Sequence, residues 1–434
     1  MKMKKVIALL LTVAMVFTLV ACGSKGGTQG DNKPGNQQTE NDTDKDKVLT
    51  IEETEKTTPA KMEAVDKADF KIGLICLHDE NSTYDNNFIQ ALKEVQKELG
   101  LTNDQVMIKT NIPEDASCQE AAAELADAGC SIVFADSFGH ESYMIEAAKE
   151  YPDVQFCHAT GTKAQTQLQP NFHNAFASIY EGRYLAGVAA GMKLNEMIAN
   201  GKITEDKAVM GYVGAFNYAE VVSGLTSFFL GARSVCPSVT MKVTYTQSWF
   251  DIAKEKEAAL NLINSGCVLI SQHADSEGAP KACEEKGVPN VAYNINTISM
   301  GPNTALISSK IDWAPYFKMI IETAFKGGTI PTDYCGTLET GSVALTELNA
   351  AVAAEGTQAK LDEVKKELIA GTIKVFDTNN FTVDGKKLDS YLADIVDLGD
   401  FVPDSEAIAS GAFEESAKRS APYFDIKYID GISE

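Results

Sequence analysis

From Asp69 onward, the apolar and polar positions of this chain follow one recurring rhythm. FKIGLICL (70–77) is a continuous apolar run of strand length. NFIQALKEVQKELG (87–100) carries apolar residues at helical spacing and ends in glycine. QVMIKTN (105–111) predicts a second strand, CQEAAAELADAG (118–129) a helix, and SIVFADS (131–137) a third strand. SYMIEAAKEYP (142–152) and VQFCHAT (154–160) continue the alternation. After EGRYLAGVAAGMKLNEM (181–197) the rhythm restarts with AVMGYVGA (208–215), VSGLTSFFLGARSV (222–235), TMKVTYTQS (240–248), DIAKEKEAALNLINSG (251–266), CVLISQHADS (267–276), PKACEEKG (280–287) and NVAYNIN (290–296). Strands alternating with helices predict an α/β protein with parallel sheets covered on both faces, and the restart predicts a second lobe like the first. TALISSKI (304–311) and WAPYFKMIIETAFKG (313–327) read as a return strand and helix that rejoin the first lobe. QAKLDEVKKELIAGTIKVF (358–376) predicts a helix followed by a strand, and residues 377–434 an extension packed on the body.

One passage occurs twice. AAAELADAGCSIVFADS (121–137) and AALNLINSGCVLISQHADS (258–276) share a helix pattern, Gly-Cys, an apolar strand and Ala-Asp-Ser. Asp136-Ser137 and Asp275-Ser276 therefore fall just past the carboxyl ends of strands, where open α/β sheets bind ligands. Two similar lobes, each presenting a carboxylate, predict a clamp around a small solute.

The first residues do not belong to that body. Lys2, Lys4 and Lys5 precede an apolar run from Val6 to Val20, a secretory pattern too short to span a bilayer comfortably. Leu19-Val20-Ala21-Cys22-Gly23 resembles a bacterial lipoprotein box and predicts lipidation of Cys22. Residues 23 to 66, polar and poor in large apolar side chains, read as a solvated tether. The formal charge of −23 argues against nucleic acid or anionic lipid as partner. Eight further cysteines include no CxxC pair, and five histidines show no HxxxH spacing, so neither a zinc site nor another metal site is expected. No nucleophile–base motif or P-loop is present, which points to binding rather than catalysis and to no cofactor.

Six strand ends carry the candidate ligand contacts. HDENSTYDNNF (78–88) offers Tyr84, Asp85, Asn87 and Phe88 at a helix start, where the same polar residues also suit capping. ADSFGHE (135–141) offers Asp136, Ser137 and Phe138, and GAFNYAE (214–220) offers Phe216. QSWFD (247–251) places Trp249 at a strand-to-helix junction, suited to stacking on a flat ring. Asp275 and Asn294 end the last strands of the second lobe; an amide both donates and accepts, as a base edge or sugar hydroxyl requires.

The ordered set LVAC, DNNFIQALKE, AAKEYPDVQFCHATG, YEGRYLAGVAAGM (180–192), NINT and SSKIDWAPYF (308–317) resembles the basic membrane protein family of ABC-transporter substrate-binding lipoproteins, which includes purine-nucleoside receptors. The resemblance spans roughly residues 69–376. It implies a type I periplasmic-binding-protein fold, two Rossmann-like lobes with parallel sheets joined by a multi-crossing hinge, and a monomer that delivers a purine nucleoside or nucleobase to a permease from the outer face of the cytoplasmic membrane. A Phe and an Asp after the first strand match Phe88 and Asp85; an Asp that grips ribose falls on Asn294, and a Lys falls beside Lys310. The expected organisation is a signal peptide (1–21), a lipidated tether (22–66), lobe one (67–178), lobe two (179–298), a return to lobe one (299–345), and lobe-two completion with a C-terminal extension (346–434). The same clamp could serve a sugar or another small solute, or act as the ligand-sensing subunit of a signalling system.

Overall fold

The computed structural model describes residues 48–397 and 401–434; the leader, Cys22 and most of the tether lie outside them, whereas residues 48–66, expected in the tether, pack on the body, with Ile51 and Met62 buried and Lys61–Met62 paired with Gly328–Thr329. Ile72–Ile75 and Ile132–Ala135 are buried at every position, as expected of strands covered on both faces. They belong to a six-stranded parallel sheet ordered Val106–Lys109, Ile72–Ile75, Ile132–Ala135, Gln155–Ala159, Phe172–Ala177, Asp333–Gly336. The second sheet runs Ile432–Ser433, Thr240–Tyr245, Val209–Gly214, Leu269–His273, Asn290–Tyr293, Ala305–Ile311, Val343–Leu345, with only the last strand antiparallel. The first five strands of each lobe thus share one spatial order, 2-1-3-4-5, which accounts for the repeated passage.

The return strand corrects the expectation for residues 299–345. Ala305–Ile311 stays in the second sheet, parallel to Asn290–Tyr293, and Val343–Leu345 pairs with it there. Only the intervening stretch rejoins lobe one, through helix Ala314–Lys326 and strand Asp333–Gly336. The reason lies in Phe172–Ala177, a fifth lobe-one strand whose apolar run is interrupted by His173 and Asn174. Both are buried and bonded: the His173 ring bridges Gln155 Oε1 (2.9 Å) and the Pro331 carbonyl (3.1 Å), and Asn174 Nδ2 donates to Glu141 Oε1 (3.0 Å). Ala305–Ile311 is its lobe-two counterpart, so the chain crosses between lobes three times. Residues 372–376 form turns rather than the expected strand; Phe376 instead stacks on Phe424, ring centroids 4.4 Å apart.

Helix Ile179–Ala199 opens lobe two and packs on helix Ala219–Val235. The small residues of LAGVAAGM allow backbone contact: a Cβ on Gly187 would overlap the Phe228 carbonyl oxygen, and one on Gly231 the Tyr184 carbonyl oxygen. All eight cysteines among the described residues are free, seven of them buried as small packing groups.

Candidate functional site

In each lobe the strand order reverses beside the first strand, so loops leaving the first and third strands diverge and open a crevice. Lobe one places residues 77–85 and 136–138 there, and lobe two places 216–220 and 275. The crevices face each other and are drawn together. Thr83 N donates to the Asp275 carbonyl (2.8 Å), and Asn87 Nδ2 donates to the Ile311 carbonyl (2.7 Å). The His78 and Phe250 rings meet at 5.4 Å, and Phe138 lies 6.3 Å from Tyr218.

Between them is a cavity lined by Leu77, His78, Tyr84, Asp85, Ser137, Phe138 and Thr160 from lobe one, and by Glu220, Trp249, His273, Asp275 and Tyr293 from lobe two. Of the candidates named from sequence, Tyr84, Asp85, Ser137, Phe138, Trp249 and Asp275 come together on its wall. Asp136 backs that wall: its backbone carbonyl accepts from Tyr84 OH (2.8 Å) and its Oδ1 from Leu77 N (3.1 Å). Asn294 supports Asp275 by donating to Oδ1 (3.3 Å) from a left-handed backbone, φ 69°. Phe216 lies behind Trp249, ring centroids 5.1 Å apart.

Three candidates do other work. Phe88 is fully buried and stacks on Trp313 (4.4 Å), because its helix turns that face toward the core. Asn87 ties the lobes through Ile311 rather than lining the cavity. Lys310 pairs with Asp312 (3.2 Å) outside the cavity, since its strand ends in the second sheet.

The site's carboxyl groups divide by environment. Burial pushes Asp85 up, but the His78 ring (Nδ1 3.4 Å from Oδ2), Ser82 Oγ (2.5 Å) and His78 N (2.7 Å) outweigh it and hold the group below the usual range, hence ionised. Burial, reinforced by Asp85, drives Asp136 well above that range. Asp275 is likewise raised by burial, then by Glu255, Asp85 and Glu220. Burial lifts Glu220 to about 7 against the pull of Arg183. The His273 imidazole is held well below its ordinary value by burial and by Arg183, so it is neutral. The cleft thus offers an ionised acceptor from lobe one and, from lobe two, a carboxyl whose neutral, donating form burial favours. Cys76, Asp85 and Asp136 each bring one potential ligand atom within 4.8 Å of the others. Burial favours the neutral form of Asp136, and both Asp85 oxygens already accept hydrogen bonds, an arrangement poorly suited to a cation.

Arg183 holds the lobe-two wall from behind. It is buried, its guanidinium carbon lies 3.4 Å from the Tyr293 ring centroid, and Nη1 donates to the Gln272 carbonyl (2.9 Å). Glu220, His273, Tyr293 and Arg183 were not among the residues selected from sequence. A lone arginine inside the apolar helix YEGRYLAGVAAGM, and histidines near strand ends (His78 and His273), are the available signals.

Raised carboxyls also set a pH dependence of folding. Burial lifts Glu220 and Glu255 to about 7 and Glu415 to about 8. Their contribution is fully present below the unfolded carboxylate range and is lost as pH rises through 7 to 8. The buried neutral histidines His140, His158, His173 and His273 act in the opposite sense up to the ordinary imidazole range, so the carboxyl effect is read above it: the melting temperature is expected to be lower at pH 8.5 than at pH 7, and Glu415→Gln to flatten that slope; calorimetry across pH checks both.

A two-lobed α/β body with a polar and aromatic cleft at facing switch points defines a solute-binding protein. The family model described as ABC transporter substrate-binding protein PnrA-like matches residues 75–378, and the chain belongs to that family. A purine-binding protein of Brucella abortus is 32% identical over 331 residues, covering 74% of this chain and 88% of its own. A Haloferax volcanii protein, provisionally named an ABC transporter glucose-binding protein, is 36% identical over 224 residues, 52% of this chain and 54% of its own. An ABC transporter solute-binding protein of Conexibacter woesei shares the fold, with a TM-score of 0.56 at 21% identity over 70% of this chain and 98% of its own. Among the described residues no helix is long and apolar enough to cross a membrane.

Proposed function

We propose that this substrate-binding protein captures a purine base or nucleoside in the inter-lobe cleft and delivers it to an ABC permease, as a monomer held by a lipid on Cys22 at the outer face of the cytoplasmic membrane. The observation that carries the reading is the wall itself. Trp249 and Phe138 offer ring faces beside Asp85, an ionised acceptor, and Asp275, a neutral donor. A purine is flat and presents donors and acceptors along one edge. The relationship to the Brucella purine-binding protein supports the same ligand class. Trp249→Ala is expected to weaken binding about tenfold to a hundredfold, the scale of one lost base–aromatic stack. Thermal-shift measurements against bases, nucleosides, sugars and amino acids test the reading, because a ligand of the folded state alone raises its melting temperature. A sugar is the second reading, favoured by the Haloferax relative; a shift with glucose and none with any purine would establish it.

A further inference from the structure

The C-terminal segment beyond the family match, residues 379–434, reaches both lobes. On lobe one, Thr162 Oγ1 donates to Asp397 Oδ2 (2.6 Å), Gln165 Nε2 to the Lys418 carbonyl (3.0 Å), and Ser420 N to Asp333 Oδ2 (2.8 Å). On lobe two, Ile432–Ser433 extends the sheet beside Thr240–Tyr245, and Arg233 donates to the carbonyls of Asn380 (2.5 Å) and Asp430 (3.0 Å). Where the segment passes the cleft it walls a second cavity of about 1060 Å³, mouth included. This cavity shares Phe138, Thr160, Glu220 and Trp249 with the cleft, so the two adjoin along one aromatic edge.

The chemistry of the second cavity differs from that of the cleft. Asp394, Asp397 and Asp425 of the segment and Glu220 of lobe two face it, against one arginine, Arg419. All three Arg419 side-chain nitrogens donate to backbone carbonyls, those of Ile395 (3.0 Å), Ala421 (3.2 Å) and Pro422 (3.3 Å). Those bonds leave the charge of Arg419 in place, but the three aspartates outnumber it and set the sign of the space, while Tyr218 and Trp249 supply ring faces. We propose that this cavity is a second ligand subsite, built by the C-terminal segment, that takes the substituent projecting from a ring bound in the cleft and admits neutral or cationic groups while rejecting phosphate. The inference rests on the cleft holding a purine. Carboxylates accept hydrogen bonds from hydroxyl and amino groups, whereas a phosphate placed among them meets like charge.

Calorimetric titration of the full chain with a purine base, its nucleoside and its 5′-monophosphate tests the proposal. The monophosphate is expected to bind about a hundredfold more weakly than the nucleoside. The combined Asp394→Asn, Asp397→Asn and Asp425→Asn variant should narrow that gap about tenfold or more. Asn217→Trp, which intrudes from the exposed lobe-two wall, should widen the difference between base and nucleoside by a similar factor. Equal binding of nucleoside and monophosphate, or a gap that neither variant moves, would overturn the subsite. If no purine binds, the cleft reading has failed instead; glucose and glucose 6-phosphate then test the same charge discrimination, with the same two outcomes.

Discussion

Asp275→Ala is expected to lower affinity for the cleft ligand about tenfold or more, the effect of leaving a buried ligand atom without its partner. Asp275→Asn is expected to stay close to the parent. The difference follows from protonation. Burial and three neighbouring carboxyl groups keep Asp275 neutral, so an amide reproduces both its shape and its capacity to donate and accept. Alanine removes those atoms and also the acceptor of Asn294 Nδ2, leaving a buried amide without that bond. The Thr83 N bond to the Asp275 carbonyl survives in both variants because it involves only backbone. Calorimetry of the pair separates the readings: equal losses would mean that Asp275 acts as a charge, and no loss in either would remove it from the site.

Gly187→Val is expected to destabilise the fold by about 3 kcal/mol or more, the upper range for overpacking, since the obstacle is backbone rather than a side chain that can turn aside. The substituted Cβ would overlap the Phe228 carbonyl oxygen and lie 2.9 Å from Ala232 N. Relief requires helices Ile179–Ala199 and Ala219–Val235 to separate. That separation would also shift Arg183 and Glu220, which sit on these two helices and shape the lobe-two wall. A melting temperature lowered by about 4 °C or more, together with weaker ligand binding, is the expected outcome. An unchanged melting temperature would show that the helices do not meet through these glycines.

The duplication is legible because the third strand of each lobe is buried at every position, follows the same helix and Gly-Cys, and ends in Ala-Asp-Ser, which places Asp136 and Asp275; the end of the second strand of lobe two places Trp249. Phe172–Ala177 was not legible, because His173 and Asn174 interrupt it with polar groups whose partners lie far along the chain. With that strand missing from lobe one, its counterpart Ala305–Ile311 was assigned to the wrong sheet. Phe88 and Asn87 flank the right loop, but helix rotation sends one to the core and the other to Ile311. Glu220 escaped selection because a carboxylate in the first turn of a helix is ordinary; only its proximity to Arg183 and His273 sets it apart. Lys310 rested on resemblance alone, and its partner is Asp312.

The most direct test of the account is a calorimetric titration of the intact protein with a series of purine bases and nucleosides. The account predicts saturable binding of at least one of them at a single site, abolished or strongly weakened by Asp275→Ala. Absence of binding by every purine, with a sugar or amino acid saturating the same protein, would contradict it.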